Sequence, residues 1–239
     1  MLRFFLYSLA LALGTSGRAA YGQQAPTRAT WVGVSVGESL VFSPSSPTRI
    51  ELPPGSYLAA AGGTGTAATG AALLRVQRGR WFGQPELRYH SLYSADFTYA
   101  RGPGGYGIPS GGGTATTAFH VQQLVLGALG GYAFGPGQQF YALLGPAVAV
   151  RLGTDGNAAP SAATSLSDDV RYAVDAAPGA AQLQLHGGLG WWGRHVGVEA
   201  RYAYGLTPLV RRLAFDGHAY DFRVDAHALL LTVGYHGRL

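Results

Sequence analysis

The sequence predicts an all-β protein, an eight-stranded antiparallel up-and-down transmembrane β-barrel, and three observations carry that prediction. Eight segments have strand patterning, and most exceed the roughly five or six residues of a soluble strand. The connections between them alternate between long and very short. The chain also opens on an export-signal pattern. Composition agrees with all three. Only 12% of the 239 residues are charged, against about 25% in a soluble domain, which points away from a cytosolic enzyme. The 37 glycines are roughly twice ordinary usage and follow no collagen period. With 12% aromatic residues and a mean hydropathy of +0.10, the chain is too apolar for intrinsic disorder. Beyond the leader no run reaches the roughly 18 apolar residues of a membrane helix, so strands are expected to do the spanning.

Residues 1–22 place Arg3 before the apolar run from Phe4 to Leu13, then small residues up to Gly22, the order of a cleaved signal peptide. Its removal takes away Arg3 and Arg18 and leaves 15 cations against 12 acids, a net of +3. So small an excess does not call for nucleic acid. With no Cys there is neither a disulfide framework nor a lipoprotein anchor. Residues 23–29 read as a short tether and residues 30–239 as the barrel domain.

The first segment, 30–42, alternates Val32, Val34 and Val36, with Glu38 on the same parity and therefore expected at the outer rim. The second, 67–77, ends at the tight turn Arg78-Gly79-Arg80. In the third, 81–93, Trp81, Leu87, Tyr89 and Tyr93 oppose Gln84, Glu86, Arg88 and His90. The fourth, 118–134, sets Phe119 and Val121 on one parity and Leu124, Leu126, Tyr132 and Phe134 on the other. A β-bulge at Gln122-Gln123 would reconcile them by flipping the faces downstream. The turn Gly135-Pro136-Gly137-Gln138 leads to the fifth, 139–152. In the sixth, 181–192, Leu183, Leu185, Leu189 and Trp191 oppose Gln182, Gln184, His186 and Gly188. After Gly193-Arg194 the seventh, 195–206, sets Val196, Val198, Tyr202 and Tyr204 against Glu199 and Arg201. The eighth, 220–236, keeps Leu229, Leu231, Val233 and Tyr235 on one face.

Short turns at one end and long loops rich in Gly, Ala, Ser, Thr and Pro at the other are the build of an outer-membrane barrel. Alternation alone does not say which face is outside, and a soluble exported sandwich or lipocalin-like barrel is the fold alternative. Export, strand length and loop asymmetry favour the inside-out version. Leu87, Tyr89, Leu183, Leu185, Val196, Val198, Tyr202 and Tyr204 are then expected to face lipid. Trp31, Trp81, Tyr132, Phe134 and Trp191, with Trp192, would form an aromatic girdle at the turn-side interface. Glu86, Arg88, His90, Glu199 and Arg201 would line the lumen as a charge network. An eight-stranded barrel is just wide enough for side chains to fill, and unpaired charges there are costly, so a charge-paired plug is expected.

Other chemistry is thinly supported. His90-Ser91 could suggest a membrane-embedded hydrolase, but strand neighbours point to opposite faces, whereas nucleophile and base must meet. Asp168-Asp169 and Asp216-Gly217-His218 are acids and a His in predicted outer loops, without metal-ligand spacing. Gly62-Gly63-Thr64-Gly65 and Gly102-Pro103-Gly104-Gly105 are predicted as loops and lack the Lys-Ser/Thr ending of a phosphate loop. No cofactor or metal is expected.

Three motifs carry a family resemblance: Gln84-Pro85-Glu86-Leu87-Arg88-Tyr89, Tyr141-Ala142-Leu143-Leu144-Gly145-Pro146 and the stretch from Val198 to Leu206, Val-Glu-Ala-Arg-Tyr-Ala-Tyr-Gly-Leu. In order and spacing the mature chain resembles the PorT-like outer-membrane β-barrel family, small Bacteroidota-type exported barrels. One departure is the end, Tyr235-His236-Gly237-Arg238-Leu239, where such barrels commonly finish on an aromatic residue. The resemblance implies residence in the outer membrane, and the family's founding member is linked to protein secretion. The expected function is that of a non-enzymatic outer-membrane barrel. Membrane lipid surrounds its wall, its long loops meet a ligand, a protein partner or another surface, and nucleic acid plays no part. A narrow pore or secretion-associated component is the alternative, and a membrane-embedded hydrolase a more distant one.

Overall fold

The computed structural model describes residues 28–42, 49–52, 56–60, 64–101, 114–154, 172–215 and 217–239. Residues 1–22, most of the expected tether, Asp168-Asp169, Asp216 and Gly102-Pro103-Gly104-Gly105 lie outside them. Among the described residues there are twelve strands: β1 (Arg28–Phe42), β2 (Arg49–Leu52), β3 (Ser56–Ala60), β4 (Thr64–Arg78), β5 (Trp81–Arg101), β6 (Thr114–Phe134), β7 (Phe140–Thr154), β8 (Ala181–Trp192), β9 (Val196–Gly205), β10 (Val210–Phe215), β11 (His218–Val224) and β12 (His227–Arg238). Thr64 and Gly65, expected in a loop, begin β4, and Arg28 and Ala29, expected in the tether, begin β1.

Eight strands pair in the order β1-β4-β5-β6-β7-β8-β9-β12, and β12 pairs back onto β1 from Arg238↔Trp31 to His227↔Phe42. Every neighbouring pair is antiparallel. These eight strands form a closed barrel, so none of them is an edge strand. At one end the strands join through residues 79–80, 135–139 and 193–195. Gly79 takes a left-handed φ of +60° in the first of these turns, a conformation that costs glycine nothing.

The long connections lie at the other end, and among the described residues three of them carry further elements, two hairpins and a short helix. The β2–β3 hairpin extends the sheet along Phe97 to Arg101 of β5. Strands β5 and β6 are 21 residues each, about 70 Å along the strand at ~3.3 Å per residue, so this ribbon runs well past the barrel. The β10–β11 hairpin, with Leu213, Phe215, Phe222 and Val224 buried, packs with Val174 from a short helix at 172–176. They close on Val41, Val121, Ala228 and Leu230 from the barrel strands. The loop-end mouth is therefore capped by an apolar core.

Two sequence expectations need correction. The eighth segment is two elements, broken at Asp225-Ala226. Its buried parity, Phe222, Val224, Ala226, Ala228 and Leu230, runs unbroken across the break. The alternation therefore gives no sign that the first part pairs with β10, the second with the barrel. The expected bulge lies at Gln122/Gln123, but the extra residue is Leu152 of β7: Gln122 faces Gly153 and Gln123 faces Arg151. Strand β6 keeps one inward face, with Val121, Gln123, Val125 and Leu129 all buried. Val121 reads as out of phase only because the cap supplies it with an apolar interior.

Phe222 is 1% exposed at the centre of that cap. Phe222→Ala is expected to cost the cap about 3–5 kcal/mol. Hydrogen exchange should accelerate in β10 and β11 while β7 and β8 keep their protection.

Candidate functional site

Strand alternation puts Glu86, Arg88 and His90 on one face of β5, and Glu199 and Arg201 on one face of β9. The ring places β5 and β9 opposite each other, four strands apart by either route. The two charged faces therefore meet across the lumen. Arg201 makes a two-pronged contact with Glu86: Nη1 donates to Oε1, and Nη2 donates to Oε2 at 3.0 Å. The same Nη2 lies 2.6 Å from Glu199 Oε1. Arg88 Nε lies 3.3 Å from Glu86 Oε1, and Arg88 Nη2 lies 4.0 Å from Glu199 Oε1. Two guanidinium groups and two carboxylates thus alternate in a neutral quartet, with all four side chains less than a tenth exposed. Taking such ions out of water is repaid only when their partners and remaining donors are met. Here Tyr141 Oη donates to Glu199 Oε2 at 2.9 Å, Gln84 Nε2 donates to Glu86 Oε2 at 3.3 Å, and Arg88 Nη1 donates to Thr69 Oγ1 at 3.3 Å, while Arg201 Nε alone of the quartet's buried donors has no partner in the protein.

The turn side holds a third guanidinium that the sequence reading passed over. Arg75 is 3% exposed, and its Nε and Nη2 donate to Gln84 Oε1 at 2.9 and 2.7 Å. Its carbon lies 4.0, 4.2 and 3.7 Å from the ring centres of Phe82, Tyr141 and Trp192, close enough for cation–π attraction on three sides. The signal was present: Arg75 stands between Leu74 and Val76 on the opposite parity. Gly131 and Gly190 make the stack fit, since a Cβ on either would strike the Phe82 or the Tyr141 ring.

Toward the loops a chain of polar groups climbs β8. With the proton of His186 on Nε2, all its donors run one way. Arg201 Nη1 meets His186 Nδ1 at 3.5 Å, His186 Nε2 donates to Gln184 Oε1 at 2.8 Å, and Gln184 Nε2 donates to Gln182 Oε1 at 2.8 Å. Gln182 Nε2 ends the chain on the Thr207 carbonyl at 3.0 Å. His90 does not meet Ser91. Its Nε2 lies 2.8 Å from Ser39 Oγ, which donates to the Ala67 carbonyl at 3.2 Å. At 0% and 2% exposure this Ser–His pair offers no access to a substrate. Among the described residues no three His, Asp or Glu side chains group as a metal site, and His218 lies exposed on β11. A small half-open pocket beside Glu199 has room for about one water. Ser35 Oγ and Trp192 Nε1 line it, both without a partner in the protein.

The opposite parity forms the outer wall. Leu87, Tyr89, Leu183, Leu185, Tyr202 and Tyr204 are exposed there, and Val196 and Val198 are half-exposed on the same face of β9. Near the turns, Trp81 meets Tyr132 edge-on at 5.0 Å, Phe134 stacks with Phe140 at 6.2 Å, and Trp191 is the cross-strand partner of Phe140. Trp31 and Trp192 do not join this outer ring. Trp31 shares the parity of inward Gly33 and Ser35 and meets Trp192 at 6.4 Å and His236 at 5.7 Å, and Trp192 stacks on His236 at 3.8 Å. These rings close the turn-side mouth, where the lumen would otherwise open beneath Arg75.

Fold and site together define a closed eight-stranded barrel with an ion-paired interior, an apolar wall and a capped outer end. Among solved structures the chain is similar to Neisserial surface protein A (12% identity over 86% of this chain and 96% of that one, TM-score 0.41). It is similar also to the outer membrane protein OprG from Pseudomonas aeruginosa (12%, 90% and 99%, TM-score 0.47). A third is Ail, the attachment invasion locus protein of Yersinia pestis, in complex with the heparin analogue sucrose octasulfate (10%, 87% and 99%, TM-score 0.39). No protein-family model matches the chain, and no curated protein does. The PorT-like resemblance therefore rests on its three motifs alone.

Glu86 touches both Arg88 and Arg201. Glu86→Gln should cost about 3–5 kcal/mol, the usual loss when one partner of a buried pair is removed. Adding Arg88→Met leaves Arg201 with Glu199 and should recover most of it. The midpoints of denaturant unfolding, followed by tryptophan fluorescence, check both, and a double variant no more stable than Glu86→Gln would contradict the quartet.

Proposed function

We propose that the protein is a non-enzymatic integral outer-membrane barrel whose lumen is shut by the Glu86, Arg88, Glu199 and Arg201 quartet and whose business is conducted by its loops. The observation that carries this reading is the inverted polarity of the barrel. Val32, Val34 and Val36 are 48%, 58% and 69% exposed on successive outward positions of β1, while Glu86, Arg88 and Arg201 are at most 5% exposed inside. A soluble lipocalin-like barrel needs the reverse, because contiguous apolar surface facing water drives association. Hydrocarbon around the wall removes that cost, and Leu87, Tyr89, Leu183, Leu185, Val196, Val198, Tyr202 and Tyr204 are the residues that would touch it. The aromatic pairs at the turn end suit the interfacial level of such a barrel.

Closure of the lumen directs the function outward. Ion pairs block the middle, the Arg75 stack and Trp31 the turn end, and the Leu213 and Phe222 core the loop end, so a ligand or partner is best met by the β2–β3 hairpin, the β5–β6 ribbon and the β10–β11 hairpin. On the last of these Arg211, Arg212 and Arg223 are exposed. The cleaved leader at residues 1–22 would supply the export route.

Two measurements test the reading. The protein should fractionate with the outer membrane and migrate faster on a gel before boiling than after, because closed barrels resist detergent until heated; recovery in the soluble periplasm would overturn it. In planar bilayers the purified barrel should give no large stable conductance steps, and such steps would speak for a pore.

A further inference from the structure

The turn end carries a one-sided arc of arginines. Going round the rim, Arg194 lies in the β8–β9 turn, Arg238 ends β12, Arg28 begins β1, Arg78 ends β4 and Arg80 lies in the β4–β5 turn; all five are exposed. These strands are consecutive neighbours in the barrel, and the contacts join them closely. Arg28 and Arg78 are direct cross-strand partners, Arg238 Nη2 donates to the Arg28 carbonyl at 3.5 Å, and the β8–β9 turn reaches β12 through His236 N and the His195 carbonyl at 2.8 Å. The far side of the rim, the turn Gly135-Pro136-Gly137-Gln138, is uncharged.

No acidic side chain offsets the arc among the described residues. Glu86 and Glu199 are committed inside the lumen. Glu38 stands in the outer half of β1 opposite Leu231, and Glu51, Asp96, Asp175, Asp221 and Asp225 belong to the loop end. Like charges placed directly opposite on neighbouring strands repel, so the Arg28–Arg78 pairing is unfavourable unless an anion sits against it. The chain is also selective in its cations: all 17 are Arg and none is Lys. A guanidinium fork matches the oxygens of a phosphate two at a time.

We propose that this arc binds the phosphate groups of anionic phospholipids in the membrane leaflet on the turn side, holding a lipid annulus against β9, β12, β1 and β4. The inference rests on the membrane-spanning reading above. A lipid surface is favoured over an acidic protein by position. Arg78 is the cross-strand partner of Trp81, and Arg80 Nη1 donates to Tyr132 Oη at 3.2 Å, so these two arginines stand at the level of the outer aromatic residues. The Gly79-Arg80 turn is two residues long and projects nothing for a protein to grip.

The test compares the full chain with R28Q/R78Q/R238Q, and with R80Q/R194Q as a second variant, each folded into vesicles and then transferred to detergent. Native mass spectrometry reads how much phosphatidylglycerol each retains relative to phosphatidylcholine. The unsubstituted chain should prefer phosphatidylglycerol, and the triple variant should lose that preference by roughly a hundredfold, about fivefold for each basic residue removed from an anionic surface. The double variant should show a smaller loss. Folded proteins that retain both lipids alike, or a triple variant that keeps the preference, overturn the proposal while leaving the membrane barrel intact. Tighter binding of polyglutamate than of phosphatidylglycerol overturns it in favour of an acidic protein partner. Absence of a heat-modifiable band in vesicles of either lipid overturns the membrane-spanning reading, and this proposal falls with it.

Discussion

The contact between Glu86 and Arg201 across the lumen is the constraint on which the rest of the barrel turns. A closed sheet of eight strands has an interior that side chains must fill, and two ions placed there are tolerated only when they meet each other and their remaining hydrogen bonds are made. Glu86 meets Arg201 only if β5 and β9 stand opposite, with the β5–β6 and β8–β9 registers as they are. A slip of one residue would turn every side chain of a strand to the other face, carrying the charges to the outer wall and the leucines and tyrosines inside. The quartet thus ties register, closure and the sorting of the two faces into one requirement.

Around that centre the interior is filled by three different chemistries. Toward the turns a cation is held by aromatic faces, with Arg75 among Phe82, Tyr141 and Trp192. In the middle the ions hold one another. Toward the loops, polar ladders from Gln182 to His186 and from His90 to Ser39 give way to the apolar core of Leu213, Phe222 and Leu230. The change from polar to apolar along the axis has a plain cause: the β10–β11 hairpin brings apolar side chains of its own, so barrel positions such as Val121 and Leu230 need not be polar there.

Much of this could be read from alternation, and the misreadings have physical reasons. Glu86, Arg88, Glu199 and Arg201 betray their face because each alternates with apolar neighbours. An aromatic residue near a turn suits either an interfacial ring or an interior stack, so Trp31 and Trp192 read as girdle residues although each stands on the parity opposite the apolar face of its own strand, Val32 to Val36 in β1 and Leu189 and Trp191 in β8. The break at Asp225-Ala226 was invisible because hairpin and barrel bury the same parity.

The sequence by itself determined the number of the barrel strands, their long and short connections, and which parity of β5, β8 and β9 is polar, because these follow from local periodicity and turn chemistry. Only the tertiary structure decided which strands stand opposite, that Arg75 lies among three rings, that Ser39 rather than Ser91 meets His90, and that five arginines scattered between positions 28 and 238 gather on one side of the turn-end rim. Those are long-range consequences of closing the sheet, and closure brings together residues that no local pattern relates.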